Sequence, residues 1–266
     1  MFNTLARQIA PALMLAGLFA LAGCSSTPKP PPSFQARIAK AHGYGWWSDK
    51  RGSLAADIHV TFLADNPDNN RFFDARFTYD IQTGKTRMQL ADDTIIVFDG
   101  QRAWVSPAAS KVRKAKFIAT TWPYFVAAPF RFEDGATAVG PVEMRELAGQ
   151  QCPSAKVTFT GGPGHSGEDW CIAYADPKTY RLLGLAYSLK GGQGVEGFSE
   201  SALAITYYGY KETDGVLLAH EWRIWKWNKE VGIYDKPVAE GRIYNVEYIY
   251  PHKSKFDKPA DAREAE

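Results

Sequence analysis

From residue 54 onward, apolar side chains recur at every second position over much of the chain. In LAADIHVTF, Leu54, Ala56, Ile58, Val60 and Phe62 alternate with Ala55, Asp57, His59 and Thr61. That is the period of a strand with one buried face. RFFDARFTYD repeats it through Phe73, Ala75, Phe77 and Tyr79, and KTRMQL through Thr86, Met88 and Leu90. TIIVFDGQRAWV reads as two strands joined at Asp99-Gly100, a pair suited to a tight turn with positive φ. Asp176-Pro177-Lys178-Thr179 and Asp214-Gly215 mark further turns. RIYNVEYIY, with Tyr244, Val246, Tyr248 and Tyr250 on one side, is the last strand, and the charged stretch 253–266 is expected to fray. The pattern predicts a mainly β (α+β) fold of about ten or eleven antiparallel strands, which must curl into a barrel or half-barrel to cover its apolar face.

Two segments break the alternation. FQARIAKAHG places Phe34, Ile38 and Ala41 on one helical face, with Gly43 as C-cap. Between about Val112 and Gly140 the strand period lapses around TTWPYFVAAPF (120–130), which is uncharged and carries Trp122, Tyr124, Phe125 and Phe130. Pro123 and Pro129 argue against one long regular helix. Short helical turns covering the concave side of the sheet are expected, a shaped lid more than a core helix.

The N-terminus changes the setting. Arg7 is the only charge before an apolar run that stops at Leu21-Ala22-Gly23-Cys24. This is the layout of a signal peptide over 1–23 ending in a lipobox, and it predicts cleavage before Cys24 and acylation of that residue. Two or three acyl chains hold a protein firmly on a bilayer. Ser25 after the cysteine favours the periplasmic face of an outer membrane, and SSTPKPPPS continues a proline-rich tether over 24–33. Residues 34–250 are expected to form one domain, with 251–266 as a tail.

Charge and cysteines narrow the chemistry. Removing 1–23 takes away one of 31 basic residues and leaves 29 acidic ones, so no long-range attraction for nucleic acid or anionic substrates is expected. Cys152 and Cys171 remain after Cys24, and an oxidising compartment favours a disulfide between them. In a simple hairpin, however, Cys171 faces roughly residue 158, so the bridge needs a kinked approach or another strand neighbour.

The five histidines, His42, His59, His165, His220 and His252, have no metal-ligand spacing. Gly164-His165-Ser166-Gly167 lacks the second glycine of a nucleophile elbow, and Gly192–Gly197 fits GxGxxG without a following helix. Both read as loops. No cofactor is implied. EWRIWKW divides Trp222 from Trp225 and Trp227 across two faces, which reads as packing on one side and a solvated surface on the other.

Ala41-His42-Gly43, Val97-Phe98-Asp99-Gly100 leading to Ala103-Trp104-Val105, Pro129-Phe130, VTFTGGPGHSGEDW and Asp176-Pro177-Lys178-Thr179 before LLGLAYSL together resemble the LolA/LolB-like group of periplasmic lipid and lipoprotein carriers. The resemblance implies an antiparallel half-barrel closed by helices over an apolar cavity, and binding of acyl chains without covalent chemistry. No counterpart of the exposed apolar loop of LolB is identifiable.

The expected function is therefore a lipid-anchored periplasmic protein holding an apolar ligand, lipid or acyl chain. Its expected lining is Ile58, Phe77, Trp104, Trp122, Tyr124, Phe125 and Phe130. Two alternatives stand beside it: a structural or assembly lipoprotein using the outer sheet surface, with a filled interior, and a hydrolase whose acid pair or serine assembles only in the fold.

Overall fold

The computed structural model describes residues 31–50, 52–63, 72–133, 137–159, 169–188 and 202–265. Cys24, the lipobox and the two glycine-rich motifs at 164–167 and 192–197 lie outside the described residues. Met1–Pro31 and Pro32–Glu266 are separate units, and the second contains its own core.

Three helices, α1 (Phe34–Ala41), α2 (Tyr44–Asp49) and α3 (Ala115–Arg131), accompany a single antiparallel sheet. Its strands are β1 (Ser53–Phe62), β2 (Phe72–Asp80), β3 (Thr86–Leu90), β4 (Ile95–Phe98), β5 (Ala103–Ser106), β6 (Thr137–Leu147) and β7 (Gln150–Phe159). They continue with β8 (Trp170–Ala175), β9 (Leu182–Ser188), β10 (Leu203–Thr213), β11 (Val216–Asn228), β12 (Gly232–Ile249) and β13 (Arg263–Ala265). The order is β13-β5-β4-β3-β2-β1-β12-β11-β10-β9-β8-β7-β6, so the half-barrel is open and β1 pairs with β12 at its centre. The described residues form thirteen strands, against the expected ten or eleven.

Alternation places the faces as expected. Leu54, Ala56, Ile58 and Val60 are fully buried in the concave cluster; on the other face Asp57, His59 and Thr61 are half-buried, and Ala55 is buried outside that cluster. The turn at Asp214-Gly215 has positive φ at both residues (50° and 77°) between paired Thr213 and Val216, a hairpin turn whose twist matches its strands. At the other hairpin the central residues are Gly100 and Gln101, with Asp99 accepting from the N–H groups of Gln101 and Arg102.

Three expectations are corrected. The stretch after 250 does not fray: Phe256 is buried and β13 pairs with β5, which covers an otherwise bare sheet edge. Cys152 and Cys171 are both free thiols. Cys171 lies opposite Val157 in the concave cluster, whereas Cys152 belongs to a second apolar cluster with Ile172, Tyr174 and Trp227, so the two sulfurs sit in different cores. Finally, residues 115–131 form one helix with both prolines inside it, not a set of short turns.

Candidate functional site

α3 is the element that fills the concavity. Every residue from Thr121 to Phe130 is buried, so this uncharged part of the helix is enclosed all round, while Lys116, Ile118, Thr120 and Arg131 at its two ends are half-buried. Its aromatics reach strands on both sides of the sheet. Trp122 stacks on Phe73 of β2 with ring centroids 6.1 Å apart, Tyr124 meets Phe159 of β7 at 6.0 Å, and Phe125 meets Tyr187 of β9 at 4.9 Å. Phe130 lies flat on Trp47 of α2 at 4.3 Å.

How the helix survives its prolines is visible at one bond. Pro129 has no N–H, so the carbonyl of Phe125, four residues earlier, loses its helical partner. The hydroxyl of Tyr207 on β10 donates to that carbonyl at 2.9 Å. A buried carbonyl that a proline orphans is thus satisfied by the sheet. Burial also pushes the Tyr207 hydroxyl well above the usual phenol range, so it stays a donor.

α1 is fastened by His42. Its Nδ1 lies 2.7 Å from the carbonyl of Leu217, and the N–H of Leu182 donates to its Nε2 at 2.9 Å. The two bonds select the neutral ring protonated at Nδ1, and burial lowers its pKa to about 4, with Arg181 adding to the effect. The next residue, Gly43, has φ +83° and stands where a Cβ would come within 2.0 Å of the Gly215 carbonyl, so only glycine fits there.

Of the residues expected to line a pocket, Ile58, Phe77, Trp122, Tyr124, Phe125 and Phe130 all join the one concave cluster. Trp104 does not. In the four-residue strand β5, Ala103 and Val105 face the core, so Trp104 points to the convex side, where its Nε1 donates to Asp99 at 2.9 Å. The guanidinium of Arg102 and the ammonium of Lys258 lie over its ring.

The apolar gap beside α3, between Phe125, Val126, Pro129, Tyr207 and Trp222, has a volume of about 10 Å³. That gap has room for one water at most, so the described residues around it pack closely on α3. Tyr187 contributes a fully buried hydroxyl with no partner among the described residues. Trp47, His42, Tyr187 and Tyr207 were not expected in the site. Strand alternation could have offered Tyr187, whose neighbour two back, Leu185, is fully buried in the same cluster. The same alternation, Leu203-Ile205-Tyr207, could have marked Tyr207 as the inward-facing one of the Tyr207-Tyr208 pair.

The convex face carries a polar groove of about 490 Å³. Within it, His59 Nδ1 lies 2.5 Å from Asp74 and its Nε2 3.0 Å from Thr61 Oγ1, the order of groups a hydrolase requires. The surrounding backbone of β1 is paired on both sides, with β2 and with β12, so its N–H groups are not free to stabilise an oxyanion. The row acts as a cross-strand polar pair.

No protein-family model matches the sequence, and no curated protein aligns with it. Among solved structures, a LolA superfamily protein from Nitrosomonas europaea matches over 86% of this chain and 99% of its own, with TM-score 0.55 and 10% identity. A domain assigned to outer membrane lipoprotein sorting from Vibrio parahaemolyticus matches over 84% and 94%, with TM-score 0.49 and 13% identity. A DUF1329 family protein from Desulfovibrio piger matches over 84% and 95%, with TM-score 0.48 and 11% identity. The open antiparallel sheet wrapped about α3 is a LolA-like fold.

Proposed function

We propose that this is a non-enzymatic envelope protein, lipid-anchored through Cys24 at the periplasmic face of the outer membrane, that takes a lipid or acyl chain into its half-barrel in exchange for α3. The observation that carries this reading is the all-round burial of residues 121–130 of α3 where a LolA-like cavity would lie, beside a gap of about 10 Å³. On this reading ligand and helix compete for the same space.

The magnitudes permit the exchange. Exposing Trp122, Tyr124, Phe125 and Phe130 costs about 6 to 12 kcal/mol, and burying about 16 methylenes returns about 13 kcal/mol. The buried Tyr187 hydroxyl offers a donor for an ester or carboxyl group. Two prolines and an N-cap without a side-chain bond give α3 little stability of its own.

The test uses the Pro32–Glu266 unit, extracted with organic solvent for mass spectrometry and titrated with a fluorescent fatty acid. Co-purifying lipid or saturable fatty-acid binding is expected, with tighter binding in Tyr207→Phe because the helix is held less firmly. Neither lipid nor binding in both proteins would sink the carrier reading. The filled interior would then favour the second reading, an assembly lipoprotein working through the outer sheet surface, for which cross-linking in the envelope recovers protein partners.

A further inference from the structure

The chain is almost neutral, yet one edge is strongly cationic. Lys111, Arg113 and Lys114 are exposed and Lys116 is half-buried, so six consecutive residues carry four positive charges. With Arg263, Glu264 and Ala265 of β13, the residues from Lys111 to Ala115 line a groove of about 560 Å³. Arg263 donates to the carbonyls of Ser110 and Val112, both at 3.0 Å, which fastens this loop to β13. Lys258, over the ring of Trp104, extends the charge along β5, and Arg102 on the same ring is paired with Glu264 at 3.9 Å. None of the described ion pairs engages Lys111, Arg113 or Lys114.

This arrangement works against the stability of the fold. The segment leads into α3, whose first turn holds no acidic residue and whose N-cap, Lys114, makes no side-chain cap bond. Ser, Thr, Asp or Asn is favoured at that position, and the positive end of a helix repels cations. Lys114 also has φ +52°, a conformation that favours glycine. One residue therefore departs from three local preferences, and such departures collect at functional places.

We propose that this edge lies against a bilayer surface bearing anionic phospholipid. Charge complementarity selects the partner: clusters of four or more Lys and Arg bind anionic headgroups, and an anionic surface relieves the repulsion at the helix end. A membrane fits better than a soluble anion because the cations are strung along an exposed loop and a sheet edge and do not converge on one point. With the anchor at Cys24 proposed above, acylation supplies proximity and a basic patch the second signal that fixes orientation. This surface is separate from the concavity and does not rest on the apolar-ligand reading.

The Pro32–Glu266 unit is sedimented with phosphatidylcholine vesicles with and without phosphatidylglycerol. Binding is expected only with phosphatidylglycerol, and it should vanish at about 1 M salt, where the screening length falls to about 3 Å. Each cation near the surface contributes about 5-fold, so the triple variant Lys111→Ala, Arg113→Ala, Lys114→Ala should bind about 100-fold more weakly. Its urea midpoint should be unchanged or higher, since the helix end is relieved. Lys111→Glu, ahead of the helix, is a second variant that should weaken binding without touching the cap. Binding to neither vesicle, equal binding to both, or variants that bind as the parent does would overturn the proposal. So would release by inorganic phosphate at matched ionic strength, which would assign a soluble anion instead.

Discussion

His42 makes the fold sensitive to acid in a predictable direction. Its pKa in the folded protein, about 4, lies below the usual 6.5, so the unfolded chain takes up a proton first as pH falls. The contribution of this residue is complete above about 6.5 and is lost progressively toward 4, a window of about 3 kcal/mol. Urea midpoints from neutral to acidic pH should therefore fall less steeply in His42→Gln, which cannot titrate, although that variant is less stable at pH 7. Parallel curves for the two proteins would contradict the assignment. Ala41-His42-Gly43 leaves this histidine readable as a surface or a satisfied side chain, and nothing in it names the partners. Its partners come from β9 and β11, at least 140 positions away. Trp104 carries a related lesson: in so short a strand, an aromatic residue does not by itself show which face it takes.

At α3, Pro123 and Pro129 disfavour a helix locally, but the short turns expected from them do not form. Tertiary packing encloses the helix, and Tyr207 supplies the hydrogen bond that Pro129 removes from Phe125. This account makes the two residues energetically coupled. Tyr207→Phe should cost about 1 to 2 kcal/mol alone, because it leaves a buried carbonyl unsatisfied. In a Pro129→Ala background the new N–H can bond to Phe125, and the cost should shrink by about 1 kcal/mol in a double-mutant cycle. Additive effects in urea denaturation would mean that the Tyr207 hydroxyl does not replace the missing bond.

For the whole molecule, period-two alternation carried most of the fold, because a strand with one buried face writes that period directly into its sequence. What it did not carry depends on which strands lie side by side. The cysteine pair failed as a bridge because the sulfurs enter different apolar clusters, and the tail is held because β5 needed an edge partner. The same non-local wrapping makes α3 the occupant of the concavity. Hydrogen–deuterium exchange across residues 115–131, with and without a long-chain fatty acid, tests this most directly. Exchange through α3 should rise on adding fatty acid while the strands facing the concavity become more protected. Unchanged exchange in α3 at every fatty-acid concentration would contradict the proposed exchange of helix for ligand.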